Sequence, residues 1–350
     1  MHSTRSVDGP LAPHVDYVTE GGGPSLDALH FLWDVVSEPL NAALLGGGAF
    51  AVLVVVLGYL RFRPFQRDFE ALRDALSEYE QYLPWMLRLA IGLPLIGAGF
   101  AGYFFAPNIP APTKVFQVLV GFLLLFGLGT RVVAFVGLLG YLVGLVVEPY
   151  LLIASEFVGG FLGIMLLGSG RPSADHLLQR VADAPGTSYG RIDPLHSLVS
   201  RFNRAIDPYE PYAATVVRVG LGFNFAYLGV VEKLLQPGRA LQVVEKYDLT
   251  QVVPVDPGMW VIGAGLTELA IGVFLLLGLF TRGVSAVAFI VLTTTLFGLP
   301  DDPVLAHVSL FGLASMLFVT GSGPLALDNR LRSLAARVGL VPGSTAQAGQ

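Results

Sequence analysis

Nine mostly apolar stretches, each near the length of a bilayer crossing, constrain this chain more than any other feature. They cover residues 44–62, 83–105, 114–129, 131–147, 151–168, 212–235, 258–280, 282–299 and 304–320. A helix rises about 1.5 Å per residue, so about 20 apolar residues cross a hydrocarbon layer about 30 Å thick. Backbone polar groups in that layer must be satisfied within the segment, which favours helices. Only 13% of the 350 residues are charged, against roughly 25% in soluble domains. A water-soluble globular enzyme is thereby excluded, and an all-α polytopic membrane protein is expected. Two pairs of runs are separated only by Gly127-Leu128-Gly129-Thr130-Arg131 and Gly278-Leu279-Phe280-Thr281-Arg282, which reads as two tight helical hairpins.

Other chemistries are excluded by composition. Cysteine is absent, so no disulfide framework, thiolate metal site or CxxC redox pair is present. Of six histidines only His307 lies in an apolar run, which argues against a bis-histidine haem inside the membrane. No metal site and no nucleic-acid partner are expected, the net charge being -5. No P-loop, HExxH or GxSxG motif occurs in a suitable context, and the abundant glycines read as close helix packing. Residues 1–40 lack the basic start and apolar core of a secretory signal. An amphipathic stretch at 25–45 either lies along the membrane surface or continues a disordered tail.

Arginines in short loops mark the cytoplasmic side. Arg61, Arg63, Arg67 and Arg73 follow the first run, and nine alternating spans place Arg131, Arg171, Arg180, Arg191, Arg201, Arg204, Arg282, Arg330, Arg332 and Arg337 on that side too. The expected topology in the plasma membrane has the N-terminus outside and the C-terminus in the cytoplasm. Arg88, Arg131, Arg218 and Arg282, at the cytoplasmic ends of their runs, read as anchors to headgroup phosphates.

Residues 114–170 also align without a gap on 265–321, a shift of 151 residues that pairs Gly121 with Gly272, Thr130-Arg131 with Thr281-Arg282 and Pro149 with Pro300. Arg88 and Gly92 pair with Arg218 and Gly222 at a shift of 130. The expected organisation is an extracytoplasmic tail, leading helix and polar connector (1–82), a first four-helix unit (83–170), a cytoplasmic linker with one short surface helix (171–211), a second, parallel four-helix unit (212–328) and a cytoplasmic tail (329–350).

Ionisable side chains at membrane depth are costly and mark functional candidates. Lys233, Glu268 and His307 fall at one depth in the outer half of the second unit. Asn224 lies deeper in the same run as Lys233, Glu232 adjoins Lys233, and Asp301 with Asp302 precedes the last run. Two readings are open. Lys233 and Glu268 can pair and hold open a hydrogen-bonded pocket, or Lys233 and Glu232 can snorkel outward while Glu268 ties two helices together. His307 is either a packing residue or a proton-transfer group. The two alignments set Tyr103, Gln117 and Glu156 opposite Lys233, Glu268 and His307, so the second unit is expected to be the active one. Glu156 is a secondary candidate.

Arg218-Val219-Gly220-Leu221-Gly222, Gly229, Lys233, Gly265-Leu266-Thr267-Glu268, Gly272, Gly278-Leu279-Phe280-Thr281-Arg282, Gly321-Ser322-Gly323-Pro324 and Asp328 together resemble the DoxX family, which includes the DoxD membrane subunit of thiosulfate:quinone oxidoreductase. The first unit resembles a diverged second copy that lacks the lysine and glutamate. The resemblance implies a four-helix membrane bundle, in some members a partner of redox enzymes that deliver electrons to quinone. On that basis the chain is expected to be a redox-associated membrane subunit with no covalent cofactor. Lys233, Asn224 and His307 would bind quinone, Glu268, Lys233 and His307 would carry the chemistry, and a redox partner protein would supply electrons. The alternatives are a transporter for a small solute or proton, and a non-catalytic scaffold that recruits proteins through 171–211.

Overall fold

A computed structural model describes residues 26–62, 64–112, 114–187, 196–300 and 303–331. The tail 1–25 and Arg63, Arg191, Pro194, Asp301, Asp302, Arg332 and Arg337 lie outside the described residues. The elements in chain order are α1 (Ala28–Ser37), α2 (Pro39–Phe62), α3 (Gln66–Ser77), α4 (Leu83–Ala101), the strands β1 (Tyr103–Phe104) and β2 (Ala106–Pro110), α5 (Lys114–Phe126), α6 (Thr130–Val147), α7 (Glu156–Leu167), α8 (Ala174–Asp183), α9 (His196–Ile206), α10 (Ala213–Tyr227), α11 (Pro237–Lys246), α12 (Leu249–Val252), α13 (Pro257–Leu277), α14 (Thr281–Gly298) and α15 (Val304–Thr320). Among the described residues six helices are long and apolar enough to cross a membrane, while α5, α7 and α15 are apolar but shorter. The chain is an all-α polytopic membrane protein with, among the described residues, one small antiparallel hairpin, β1–β2.

Helices α4 to α7 and helices α10, α13, α14 and α15, the two units expected from the sequence, share one core. Its buried side chains come from α4 to α7 and from α10, α13, α14 and α15, with Leu87, Leu124, Phe161, Val217, Leu275 and Leu317 all inaccessible. The centre consists of α4, α7, α10 and α15, with α4 against α15 and α7 against α10. The pairs α5–α6 and α13–α14 flank it on either side. The leading helix α2 is mostly exposed and touches the body through edge contacts of Tyr59 with Phe69 and Phe280.

Contacts in the two units correspond residue by residue. A Cβ on Gly99 would sit 3.2 Å from Lys114 O, and one on Gly229 would sit 2.6 Å from Gly265 O. Asp175 accepts the Gly129 backbone N–H at 2.6 Å, and Asp328 accepts that of Phe280 at 2.8 Å. The Arg88 guanidinium donates to Pro172 O, and that of Arg218 to Leu325 O. These pairs keep the shifts of 130 and 151 in α4 and α5. In α7 and α15 the shift is two residues larger. Gly159 abuts Gly220 and Gly312 abuts Ala90, and Arg131 donates to Leu166 O as Arg282 does to Val319 O. The gapless pairing of His307 with Glu156 therefore does not hold in space, because two more residues separate the end of α14 from Ser309 than separate the end of α6 from Glu156. His307 is level with Ala154, and Glu156 is level with Ser309.

Arg88 and Arg218 are not headgroup anchors, since they are 0% and 1% exposed. Arg218 donates to Leu275 O and Leu276 O at the end of α13 and to Ser322 O and Leu325 O beyond α15. It thus satisfies carbonyls that a helix terminus leaves without partners. Arg131 and Arg282 also turn inward to carbonyls, and Arg131 pairs with Asp207 at 2.6 Å. The linker carries two surface helices, α8 and α9, where one was expected.

Candidate functional site

The site begins where α10 departs from α-helical geometry. Beyond Tyr227 the chain continues as a π-helical segment, Leu228–Leu234, with Leu235 N–H donating to Val230 O at 2.8 Å, five residues back. Gly229 lets this segment lie directly on α13, because any side chain there would strike Gly265 O. A π turn widens the helix and re-aims the side chains that follow, a device common at functional sites. Here it directs Lys233 toward α13, where Nζ meets Glu268 Oε2 at 2.6 Å. The two side chains are 26% and 15% exposed, so the pair is desolvated on most sides but still borders open space. Such a pair offsets the desolvation of each partner, and losing one member strands the other.

That space is a cavity of about 620 Å³ at the arginine-poor end of the bundle. Lys233, Glu268 and His307 all line it, together with Glu232 and Glu156. Its walls are apolar: Phe105 and Ile153 from the first unit, Phe225, Leu292 and Leu310 from the second. Val243, Val244, Leu249 and Val252 of α11 and α12 form a roof. His307 is 7% exposed, with Nδ1 3.3 Å from Pro303 O.

Glu156, the first residue of α7, is held from two helices. Ser309 Oγ of α15 donates to Oε1 at 3.0 Å, and Asn224 Nδ2 of α10 donates to Oε2 at 3.0 Å. Asn224 also donates to Ile153 O at 2.7 Å. Asn224 lies below the cavity, outside its lining, and acts by positioning Glu156. Sequence reasoning marked Glu156 as an intramembrane acid but placed it apart from Lys233. The pairing that joins them runs between helices of different units, which no spacing within one unit displays. The roof helices and the hairpin were likewise missed, because short polar segments outside the spanning runs carry little periodic signal.

The arrangement sets a lysine, a histidine and three carboxylates around one end of an apolar chamber. It can hydrogen-bond the polar edge of a lipophilic ligand and exchange protons with it. Among the described residues no three His, Cys, Asp or Glu side chains converge as a metal-binding group.

The fold and cavity define a polytopic α-helical membrane protein with a partly charged chamber inside its bundle. The DoxX family model matches residues 213–300, from the start of α10 past the end of α14, so this segment is similar to a DoxX domain. Lys233 and Glu268 fall within the match, whereas Glu156 and His307 lie outside it. No curated protein and no solved structure matches the chain.

Proposed function

We propose that the chain is a membrane subunit of a quinone-linked redox system, binding quinone in the cavity between α10, α13 and α15 while a separate partner protein supplies electrons. The observation that carries this reading is the Lys233–Glu268 pair at 2.6 Å in the wall of a predominantly apolar cavity of about 620 Å³. Ligand pockets of this kind combine an apolar lining with a few convergent polar groups, and span roughly 300–1,000 Å³. A quinone, when bound, supplies two-electron, two-proton acceptor chemistry. The residues present fit such a group. Lys233 Nζ–H donates to an oxygen at its ring edge, Glu268 holds or releases the matching proton, and His307 provides a second exchange group beside them. Asn224 and Ser309 fix Glu156 as a further carboxylate in the lining. The arginine-poor end, with the cavity, faces outward from the plasma membrane in this reading. The paired contacts of the two units support their origin from one duplicated four-helix ancestor.

Quinone extracted from the purified protein tests the reading. Wild type should retain near-stoichiometric quinone, and Lys233→Ala or Glu268→Gln should lower it tenfold or more. The double variant Lys233→Gln/Glu268→Gln, which leaves no stranded charge, should stay folded but equally empty. Equal quinone in all four proteins would place the ligand elsewhere. Solute flux in proteoliposomes without any redox partner would instead select a transporter.

A further inference from the structure

The first unit keeps an aromatic ring where the second unit leaves space. After α4 the chain leaves the helix at Gly102 (φ 89°) and folds back as the hairpin β1–β2. This sets the buried Phe105 ring among Tyr141, Phe157 and Phe161, at centroid separations of 5.3, 5.0 and 6.3 Å. Gln117 grips the chain on both sides of that ring. Its Oε1 accepts Phe105 N–H at 2.8 Å, and its Nε2 donates to Tyr103 O at 2.7 Å.

In the registers fixed by the helix contacts, Tyr141, Phe157 and Phe161 correspond to Leu292, Leu310 and Ala314. Gln117 corresponds to Glu268, and the count of 130 carried past the end of α4 sets Tyr103 against Lys233. The second unit has no hairpin at this level, because α13 is already helical from Pro257. Leu235, in register with Phe105, is 52% exposed and does not line the cavity. Three ring side chains have become smaller aliphatic ones, while Ala288 opposite Gly137, Val291 opposite Gly140, Thr295 opposite Gly144 and His307 opposite Ala154 return part of the volume. Leu292 and Leu310 line the resulting cavity. The polar grip survives in charged form: Gln117 presents one acceptor and one donor, and Glu268 with Lys233 presents a carboxylate and an ammonium.

We propose that the seat bounded by Leu292 and Leu310 receives the planar headgroup ring of the ligand, as the equivalent seat in the first unit receives Phe105. The ring oxygen then faces Lys233 and Glu268, and the ligand's tail leaves through the wider part of the cavity. This rests on the quinone reading and adds to it where the ring sits and which residues set its size. The first unit is plugged by its own chain, so one ligand binds per chain.

Titration of the full-length protein in nanodiscs with a decyl-substituted benzoquinone tests the assignment. Leu310→Trp and Leu292→Phe, which fill the seat, should each weaken binding tenfold or more, whereas Val252→Trp in the roof should change it less than twofold. Leu310→Ala, which removes ring contacts without adding bulk, should weaken binding about threefold and covers the case in which the larger side chains disturb folding, read from thermal melting. Wild-type binding that survives both seat substitutions but is lost in Val252→Trp would place the ring under the roof and overturn the seat while leaving the quinone reading intact. No binding to wild type would remove both.

Discussion

Single residues divide into those that hold the bundle and those that face its cavity. Arg218 belongs to the first group. It donates to four carbonyls at the ends of α13 and α15, and each buried acceptor left without a donor costs about 1–3 kcal/mol. Arg218→Ala should therefore lose at least about 3 kcal/mol, read by denaturant unfolding in detergent. Arg218→Lys should recover little, because a point ammonium cannot reach carbonyls spread around a planar fork. Lys233 and Glu268 were legible in the sequence because charge is rare at membrane depth. The inward use of Arg88 and Arg218 was not, since a basic residue at a helix end looks the same whether it meets lipid phosphate or helix carbonyls. Asn224 gave the same ambiguity: its position was evident, while its partner Glu156 lies 68 residues away in another unit.

At the scale of elements, the apolar runs located the spanning helices well. They misjudged two arginine-poor ends, where α4 stops at Ala101 short of 105 and a 3-10 turn, Pro149–Ala154, precedes α7. Hydropathy does not register these breaks, since Tyr103–Phe104 and Leu151–Ile153 are as apolar as the helices they interrupt. The π-helical segment was equally silent. Its seating depends on Gly229, so Gly229→Val should push this segment off α13 and cost about 1–3 kcal/mol. Gly263→Ala, in open space on α13, should be neutral or slightly stabilising. Melting temperatures of the two variants measure the difference.

The whole molecule is an interlocked body in which each unit lends helices to the other's packing, so the cavity draws Glu156 and Phe105 from the first unit and Lys233, Glu268 and His307 from the second. A reading by separate bundles brought the second set together, but it left Glu156 apart from that set and did not single out Phe105. Orientation can be measured directly because the chain has no native cysteine. Glu245→Cys on α11 should react with a membrane-impermeant maleimide in intact cells, whereas Ser77→Cys and Asp183→Cys should react only after permeabilisation. The reverse pattern would turn the cavity toward the cytoplasm. The central claim, that this cavity holds a quinone ring, is tested most directly by photo-crosslinking a light-activated benzoquinone to the protein in nanodiscs and mapping the modified peptides. The account predicts labels concentrated in 228–268 and 291–310 and suppressed by excess unlabelled quinone. Labels spread over lipid-facing α2 and α6 in proportion to exposure, and indifferent to competitor, would contradict it.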